Sequence, residues 1–413
     1  MDAGVWPELY RTLAVPRKER IVTGFNVNLD RSIPVTGELL ASLPVYAASL
    51  PGFMNRFRLS LGRSVADELF VPDAEEFRRF AGNFMAAGSL SIGGQAGIAA
   101  VHLAASGAPS VLCVAPAMGD ETRRLLEERG VGIPGPRISE ACPDSIHLVF
   151  EYAPGLISPE PGFPPRRNRF IVSPVHGAES ALLGPDLLEA VKEAAVSCNR
   201  FFLSGYQYLR TEREFAAAAG QLAEIRGQNP DLRIHAEWVG VTDRELNGRF
   251  LRYILPRADS LGINEQELLN LSSCLHPGGH SGGNAAPSPP ELIREAVGIC
   301  RATGLRRLHV HTHGYYILVL DHPVDPGASR DALLYASREA ARSAGPGPAG
   351  LVPAGIAAMA SAEDRFGRDG GPGIFSLGGY CGIMVPSLVT EGEVRTVGLG
   401  DRISSLAFDT DPC

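Results

Sequence analysis

The chain has 413 residues, of which 45% are hydrophobic and 20% are charged, and its formal net charge is −8. This length predicts two or three domains around a large core, and the composition excludes an intrinsically disordered chain. The acidic charge argues against a nucleic-acid partner.

The cysteines and the hydropathy pattern predict the cellular compartment of the protein. Seven cysteines are scattered along the chain without a Cys-x-x-Cys pair, so neither a disulfide framework nor a zinc site is indicated. No segment approaches about 20 uninterrupted apolar residues, the length that spans a membrane. We therefore expect a cytoplasmic protein without an export signal or membrane partner.

Short apolar runs alternate with helical patterns along the chain. Strands are predicted at residues 20–25, 111–115, 146–150, 201–204, 232–237, 260–263 and 308–312. Helices are predicted between them, at residues 97–106, 183–195, 212–226 and 290–303. The alternation predicts an α/β fold with a mostly parallel sheet, helices on both faces and ligands at the carboxyl ends of the strands.

Other segments interrupt this alternation. Residues 44–97 and the stretch around 143–172 break it, which predicts a second, smaller unit inserted at more than one point. Loops are predicted at residues 272–290, 344–353 and 365–373, which are rich in Gly, Ser and Pro or in Gly and charged residues.

Several polar residues lie after the first predicted strand and before the first predicted helix. Asn28 and Asp30 lie two residues apart, hence on one face of an extended segment, and the pair suits a polyol ligand. An Asx turn or a helix cap explains them equally well. Gly94 and Gln95 belong to a Gly-Gly-Gln-Ala-Gly turn that opens a helix, where a packing turn and a ligand site are both consistent interpretations.

Two later strands end in acidic side chains. His235-Ala-Glu237 ends one strand, and Asn264-Glu-Gln-Glu267 follows the next. Carboxylates at strand ends suit hydrated magnesium, which needs only one or two protein oxygens beside substrate phosphates. A helix-capping box formed by Asn264 and Glu267 is the alternative.

The stretch Thr396-Val-Gly-Leu-Gly-Asp401 is the most informative part of the chain. A short β-like segment leads into a tight glycine turn, and an amphipathic helix begins directly after it. The free N–H groups of the first helical turn therefore form an anion hole. Asp401 at this turn can accept a proton from a hydroxyl that attacks phosphorus.

Nine blocks of sequence occur in one order along the chain: Asn-x-Asn-x-Asp (26–30), Gly-Gly-Gln-Ala-Gly (93–97), Ile-His-x-x-x-Glu-Tyr (146–152), Asn-Arg-Phe-Ile (168–171), Ser-Gly-Tyr-Gln (204–207), His-x-Glu (235–237), Ser-x-Gly-x-Asn-Glu-x-Glu-Leu (260–268), His-Val-His-Thr-His-Gly-Tyr-Tyr (309–316) and Thr-Val-Gly-Leu-Gly-Asp (396–401). In these blocks, over residues 20–408, the chain resembles the ADP-dependent sugar kinases, which comprise glucokinases and phosphofructokinases. The resemblance implies a ribokinase-like fold, with a large doubly wound α/β domain and a smaller, discontinuous β-rich lid. The lid is expected at residues 20–32, 44–97 and 143–172, and the large nucleotide-binding domain at residues 33–43, 98–142 and 173–413.

The resemblance also implies roles for individual residues. Asp401 is expected to be the catalytic base, assisted by Arg169 and by the backbone N–H groups of Gly398 and Gly400. The sugar is expected to bind Asn28, Asp30, Glu68, Gly94, Gln95 and His147. The co-substrate ADP is expected to bind Arg169, His311, Thr312, Tyr315, Val397 and Gly400. Magnesium, or another divalent cation, is expected at Glu237, Glu267 and Asn264, and the protein is expected to be a monomer or small homo-oligomer.

The chain departs from the family pattern after two of these residues. Arg402 follows Asp401 where Thr is usual, which either assists phosphate binding or lowers the basicity of Asp401. Trp238 follows Glu237 where Phe is more usual, a change that we interpret as packing. A homologue that binds sugar and nucleotide with weakened turnover therefore stays open as an alternative.

The choice of sugar depends on residues of the expected lid. Glu68 lies in a context that resembles the glucokinase branch, and a carboxylate there repels a sugar phosphate by roughly 1 kcal/mol or more at an effective dielectric constant near 20. Arg166 and Arg167, beside the Asn-Arg-Phe-Ile block, favour fructose 6-phosphate instead. We expect an ADP-dependent glucokinase that forms glucose 6-phosphate and AMP, with a phosphofructokinase or bifunctional enzyme as the alternative.

Overall fold

The structure is a computed structural model that describes residues 4–63, 66–134, 144–153, 167–175, 182–239, 242–275, 287–323, 325–345, 347–390 and 398–412. Its strands, in chain order, are β1 (Arg20–Gly24), β2 (Asn28–Pro34), β3 (Asp67–Val71), β4 (Ser89–Gly93), β5 (Ser110–Val114), β6 (Ile146–Tyr152), β7 (Asn168–Pro174), β8 (Arg200–Leu203), β9 (Arg233–Glu237), β10 (Ser260–Asn264), β11 (Arg307–His311), β12 (Tyr315–Asp321), β13 (Ala349–Leu351), β14 (Ile374–Ser376), β15 (Tyr380–Pro386) and β16 (Leu388–Thr390). Its α-helices are α1 (Val5–Thr12), α2 (Gly37–Tyr46), α3 (Phe53–Arg63), α4 (Ala74–Gly82), α5 (Gln95–Ala105), α6 (Asp120–Glu127), α7 (Pro185–Ser197), α8 (Glu212–Gln228), α9 (Arg244–Arg249), α10 (Glu265–Leu275), α11 (Pro289–Thr303), α12 (Pro326–Ala344), α13 (Pro353–Phe366) and α14 (Leu399–Thr410).

A nine-stranded sheet forms the large unit, in the order β14-β15-β12-β11-β10-β9-β8-β1-β5. The strands from β5 to β11 run parallel, whereas β12, β15 and β14 run antiparallel at one side. Strand β8 is buried along its whole length, as a strand covered on both faces must be. Helices α5, α12 and α14 pack against one another on one face, and α7 packs with α8 and α10 with α11 on the other. This arrangement confirms the predicted α/β class.

A separate five-stranded sheet, in the order β3-β7-β6-β2-β4, forms the small unit. One face packs on helices α3 and α4 through a cluster of aromatic rings that includes Phe53, Phe57, Phe80, Phe150 and Phe170. Because side chains alternate along a strand, the residues between these apolar ones point to the opposite face. That face carries the polar residues of the candidate site.

Two stretches lie in a different unit from the one expected for them. Residues 20–24 form β1 of the large sheet, because Ile21 and Val22 bury their side chains in its core between β5 and β8. Ile33 and Val35 instead belong to the core of the small unit, together with Leu43 on α2. The chain thus passes from the large sheet to the small unit after β1, near Asn26. Residues 33–43 belong to the small unit and not to the large one.

The predicted loops divide into described and undescribed parts. Helix α10 continues into the first of them as far as Leu275, and residues 276–286 lie outside the described residues. Part of the second loop is the short strand β13, which pairs with β16. Within the described part of the chain, no helix is both long and apolar enough to cross a membrane.

Candidate active site

The first turn of α14 lies at the edge of the large sheet where the parallel strands end. Gly398 is the residue before this helix and has a left-handed backbone with φ of 69°, which glycine adopts without strain. A Cβ atom at Gly398 would lie 2.6 Å from Ile98 Cδ1 on α5, so a side chain has no room there. Helix geometry leaves the first N–H groups of α14 without intrahelical acceptors, which makes this turn suited to an anion.

Asp401 sits in this first turn and has an unusually basic carboxylate. Burial raises the pKa of Asp401 to about 6, although a hydrogen bond from Gln95 and the nearby Arg169 and Arg402 act in the opposite direction. The structure therefore brings Asp401, Gln95 and Arg169 together, although they are on α14, α5 and β7. A carboxylate with this pKa is a stronger base than an exposed aspartate.

The polar pair on β2 lies against the glycine turn that opens α5. Asn28 Nδ2 donates to Asp30 Oδ1 at 2.7 Å, and a Cβ atom on Gly94 would lie 2.8 Å from Asn28 Oδ1. Burial, with smaller contributions from the negative charges of Glu68 and Asp401, raises the pKa of Asp30 to about 7. Asn28, Asp30, Gly94 and Gln95 thus form one group beside Asp401.

Glu68 and His147 meet at a residue that sequence reasoning missed. Ser173 Oγ donates to Glu68 Oε1 at 2.5 Å and lies 3.1 Å from His147 Nδ1. These three residues are on the neighbouring strands β3, β7 and β6 and share the open face of the small sheet. Burial raises the pKa of Glu68, and the Ser173 hydrogen bond opposes this effect. The alternation that places Arg169 on this face also places Ser173 there, four residues later, but its partners follow only from the pairing of β7 with β3 and β6.

The positive charge of Arg169 acts on all three carboxylates of this group. Its positive charge lowers the pKa of Asp30, of Glu68 and of Asp401. Its Nε atom is buried and has no hydrogen-bond partner among the described residues. Arg169 therefore lies between the predicted sugar-binding residues and the Asp401 carboxylate, where an anionic group would find a donor.

A cavity of about 370 Å³ opens beside Asp30, between the small sheet and the start of α14. It is lined by the Ser32, Ser89, Ser91, Glu151, Ile98 and Arg402 side chains, among others. The Arg402 guanidinium donates to the Ser343 carbonyl and hydroxyl oxygens, both at 3.1 Å, near the end of α12. Arg402 is thus held by α12 and at the same time lowers the pKa of Asp401, which matches one of the two effects expected of it.

Glu237 lies below this turn in a buried polar cluster. Its Oε2 atom accepts from Ser404 Oγ at 2.6 Å and lies 3.0 Å from His235 Nε2. Gly262 on the neighbouring strand makes room for this contact, because a Cβ atom there would lie 2.0 Å from Glu237 Oε2. Burial raises the pKa of Glu237 well above its ordinary value, and the charges of Asp401 and Glu267 add to the effect.

Asn264 and Glu267 form the capping box that was the alternative interpretation. Asn264 Oδ1 accepts from the Glu267 backbone N–H at 2.9 Å, and Glu267 Oε2 accepts from the Asn264 backbone N–H at 2.7 Å. In the described ranges, no three His, Cys, Asp or Glu side chains gather into a metal-binding group. Glu267 nevertheless lies close enough to Glu237 to raise its pKa.

The residues expected at the nucleotide follow β11. His311 lies directly under the helix turn, because a Cβ atom on Gly400 would be 2.7 Å from its Nε2 atom. Burial lowers the pKa of His311 to about 4, so this imidazole is neutral. Thr312 Oγ1 donates to the Tyr315 carbonyl at 2.7 Å and closes the turn between β11 and β12. Val397 lies outside the described residues.

Comparison with known proteins assigns the chain to a family. The model of the ADP-specific phosphofructokinase/glucokinase conserved region matches residues 19–349. The chain is 26% identical to an ADP-dependent glucose/glucosamine kinase of Pyrococcus furiosus, over 98% of each chain. It is also 26% identical to an ADP-specific phosphofructokinase of Methanosarcina acetivorans, over 96% of this chain and 93% of that one.

Solved structures show the same fold. An ADP-dependent kinase in complex with fructose 6-phosphate and ADPβS matches with a TM-score of 0.79 and 22% identity, over 98% of this chain and 96% of that one. The last common ancestor of ADP-dependent phosphofructokinases from Methanosarcinales matches with a TM-score of 0.78 and 22% identity, over 99% and 98%. With a family model that covers most of its length, the chain belongs to the ADP-specific phosphofructokinase/glucokinase family and is an ADP-dependent sugar kinase.

Proposed function

We propose that the protein transfers the β-phosphoryl group of ADP to the 6-hydroxyl of glucose, giving glucose 6-phosphate and AMP. The relatives include kinases of both sugars, so the choice of glucose rests on this chain's own residues. The observation that supports glucose most directly is the position of the Glu68 carboxylate. It accepts a hydrogen bond from Ser173 on the open face of the small sheet, beside Asp30. Two carboxylates against one arginine favour a neutral polyol over a sugar phosphate.

The small unit is proposed to be the lid over the sugar. Its open face carries Asp30, Glu68, His147 and Arg169, and the cavity between it and α14 has room for a small ligand. Carboxylate and imidazole groups on this face suit the several hydroxyl groups of a hexose. A sugar bound against Asp30 is proposed to present a hydroxyl to Asp401, whose negative charge acts on the pKa of Asp30.

In the proposed mechanism, Asp401 takes the proton of the sugar hydroxyl as that oxygen attacks the β-phosphorus of ADP. The bond from the β-phosphorus to the bridging oxygen breaks, and AMP leaves with that oxygen. N–H groups of the first turn of α14 stabilise the charge on the transferred phosphoryl group. Arg169 adds a cation on the side of the small sheet.

Magnesium is part of the proposal, and the residues fit it. Glu237, with Glu267 and the Asn264 cap beside it, would hold the ion and its waters, because Mg²⁺ uses few protein carboxylates in phosphate-transfer sites. Burial raises the pKa of Glu237 well above its ordinary value and the neighbouring Asp401 and Glu267 add to the effect, so a bound cation would favour the charged form of this side chain. Magnesium, when bound, neutralises charge on the phosphates. Its identity, the cytoplasmic setting and the oligomeric state stay predictions.

The experiment is a coupled assay of AMP release from ADP with glucose and magnesium, for the parent and for Asp401→Asn. The substitution keeps the side-chain volume and removes the base, so turnover should fall by roughly 10²-fold or more. ADP binding by calorimetry should stay near the parent value. Unchanged turnover in Asp401→Asn would remove this residue from the mechanism, and no glucose-dependent AMP from the parent would refute the proposed reaction.

One observation favours fructose 6-phosphate as a second candidate. Arg167 is exposed and lies directly before β7, two residues from Arg169 on the open face of the small sheet. From this position its side chain could reach a 6-phosphate. Arg166, the other arginine considered for this role, lies outside the described residues. The same assay with fructose 6-phosphate in place of glucose distinguishes the two candidates.

A further inference from the structure

The open face of the small sheet carries an exposed aromatic side chain, that of Phe70 on β3. Its neighbours Leu69 and Val71 pack into the aromatic cluster on the opposite face, whereas Phe70 is 48% exposed and belongs to neither hydrophobic core. Among the phenylalanines that the structure describes, it is the only exposed one. Packing of the protein interior therefore does not account for an aromatic residue at this position.

Strand pairing places Phe70 in one row with residues of the proposed sugar site. Phe70 is the register partner of Ser173 on β7, and His147 on β6 is the register partner of Asp30 on β2. Ser173 Oγ lies 3.1 Å from His147 Nδ1, which joins the two pairs across the sheet. Because neighbouring strands are about 4.8 Å apart, these four side chains form a continuous row on the open face.

Glu68 lies beside the end of this row. It precedes Phe70 by two residues, so both side chains point to the same face and their Cα atoms are about 7 Å apart. Ser173 donates to Glu68 Oε1 at 2.5 Å and thereby holds the carboxylate next to the row. Val175, two residues after Ser173, is also exposed on this face. Polar groups and an apolar edge thus lie side by side.

A hexose has both kinds of surface that this group can contact. Its hydroxyl groups project around the rim of the ring, and the C–H groups of the ring form two apolar faces. In the pyranose form of glucose the hydroxyls at C2, C3 and C4 are equatorial, which leaves the ring faces to C–H bonds. Ligand sites combine aromatic side chains with a few placed polar groups. The face of an aromatic ring carries partial negative charge, which attracts C–H groups.

We propose that Phe70 contacts the apolar ring face of bound glucose and is a specificity-determining residue of the sugar site. This inference rests on the proposed function for the identity of the sugar. The phosphate of fructose 6-phosphate gains nothing from this contact, because a phenyl ring has no hydrogen-bond donor. Phe70 thus adds to the preference that Glu68 is proposed to give. Since the contact is made to the ring and not to the reacting hydroxyl, its loss weakens binding and not turnover.

The kinetic test compares Phe70→Ala and Phe70→Tyr with a matched control. The control is Leu59→Ala, because Leu59 is 47% exposed in the same unit, on helix α3, which packs on the opposite face of the sheet. Phe70→Ala should raise KM for glucose by roughly tenfold and leave kcat near the parental value. Its melting temperature should also stay near the parental value, since an exposed side chain contributes little to stability. Phe70→Tyr and Leu59→Ala should keep the parental KM.

Tryptophan emission measures the same contact without turnover. The two tryptophans of the chain, Trp6 and Trp238, are both buried, so Phe70→Trp adds an exposed reporter on the open face. Glucose added without ADP should change the emission of this variant in a saturable way. The parent, titrated in the same way, gives the background that is subtracted.

A parental KM for glucose in Phe70→Ala would overturn the proposal. So would an emission of Phe70→Trp that glucose changes no more than it changes the parent's, or a rise of KM in Leu59→Ala equal to that in Phe70→Ala. The proposed reaction fails separately. If glucose changes the emission of Phe70→Trp and the parent releases no AMP, the contact is supported and the reaction is refuted.

Discussion

At the scale of single residues, the basicity of Asp401 depends on its neighbours. Burial raises its pKa to about 6, and the Gln95 hydrogen bond is the first of the effects that lower it. A base must be deprotonated to act, so kcat/KM should fall as the pH drops through about 6. Gln95 stabilises the charged form, and removing it should raise the pKa of Asp401.

Gln95→Leu therefore shifts the acid limb of the kcat/KM profile to higher pH, because the carboxylate loses the donor that stabilises its charge. The measurement is AMP release between pH 5 and pH 9, with ADP and glucose both varied, and Ile98→Leu on the same helix is the control for packing changes. An acid limb at the parental pH in Gln95→Leu would contradict this account of Asp401.

Ser173 provides a second prediction at this scale, because one hydroxyl serves both Glu68 and His147. Ser173→Ala should lower kcat/KM for glucose by roughly fivefold, which corresponds to about 1 kcal/mol for a lost hydrogen bond. The effect should become smaller in the Glu68→Ala background, since the carboxylate that Ser173 orients is then absent and only its contact with His147 remains. Additive losses in the double variant would show that Ser173 acts without Glu68.

At the scale of elements, α10 combines a cap and a candidate metal residue in Glu267. Glu267→Gln keeps an oxygen that can accept from the Asn264 N–H, so the cap and the melting temperature should change little. The loss of charge beside Glu237 should raise the magnesium concentration needed for half-maximal rate by roughly tenfold. A magnesium titration of both proteins checks this, and Glu265→Gln in the same turn is the matched control.

If Glu267→Gln keeps the parental magnesium requirement, Glu267 is a capping residue and no more. If it also lowers the melting temperature by several degrees, the cap depends on the charged form of the side chain. Neither result would affect the role of Glu237, which lies on β9.

Most elements that carry the site were predictable from local patterns. The turn at Gly94 and the turn at Gly398 both open helices, as the glycines indicated, and both have a positive φ. The passage of the chain from the large sheet to the small one was not predictable, because β1 and β2 are separated by only three residues, too short a connection to indicate a change of sheet. Ser173 was missed for a related reason: a lone serine on a strand carries no signal until the neighbouring strands are known.

At the scale of the whole molecule, the site exists only where two units meet. The small sheet supplies Asp30, Glu68, His147 and Arg169, and the large unit supplies Asp401 and Glu237. The mutual effects of these charges on pKa show that the two sets share one cleft. In the proposed function, the small unit determines which sugar is bound, and the large unit contributes the base and the anion site.

The central claim is that the Glu68 carboxylate selects glucose, and the ratio of kcat/KM for glucose to that for fructose 6-phosphate tests it most directly. We expect the parent to prefer glucose. Glu68→Ala should lower kcat/KM for glucose by roughly ten- to a hundredfold, because a hydrogen bond to a charged group is worth about 1.5–3 kcal/mol. The same variant should accept fructose 6-phosphate more readily than the parent, and Glu68→Gln, which removes only the charge, should do so too. A parent that prefers fructose 6-phosphate, or a Glu68→Ala variant that phosphorylates glucose as well as the parent, would contradict the account.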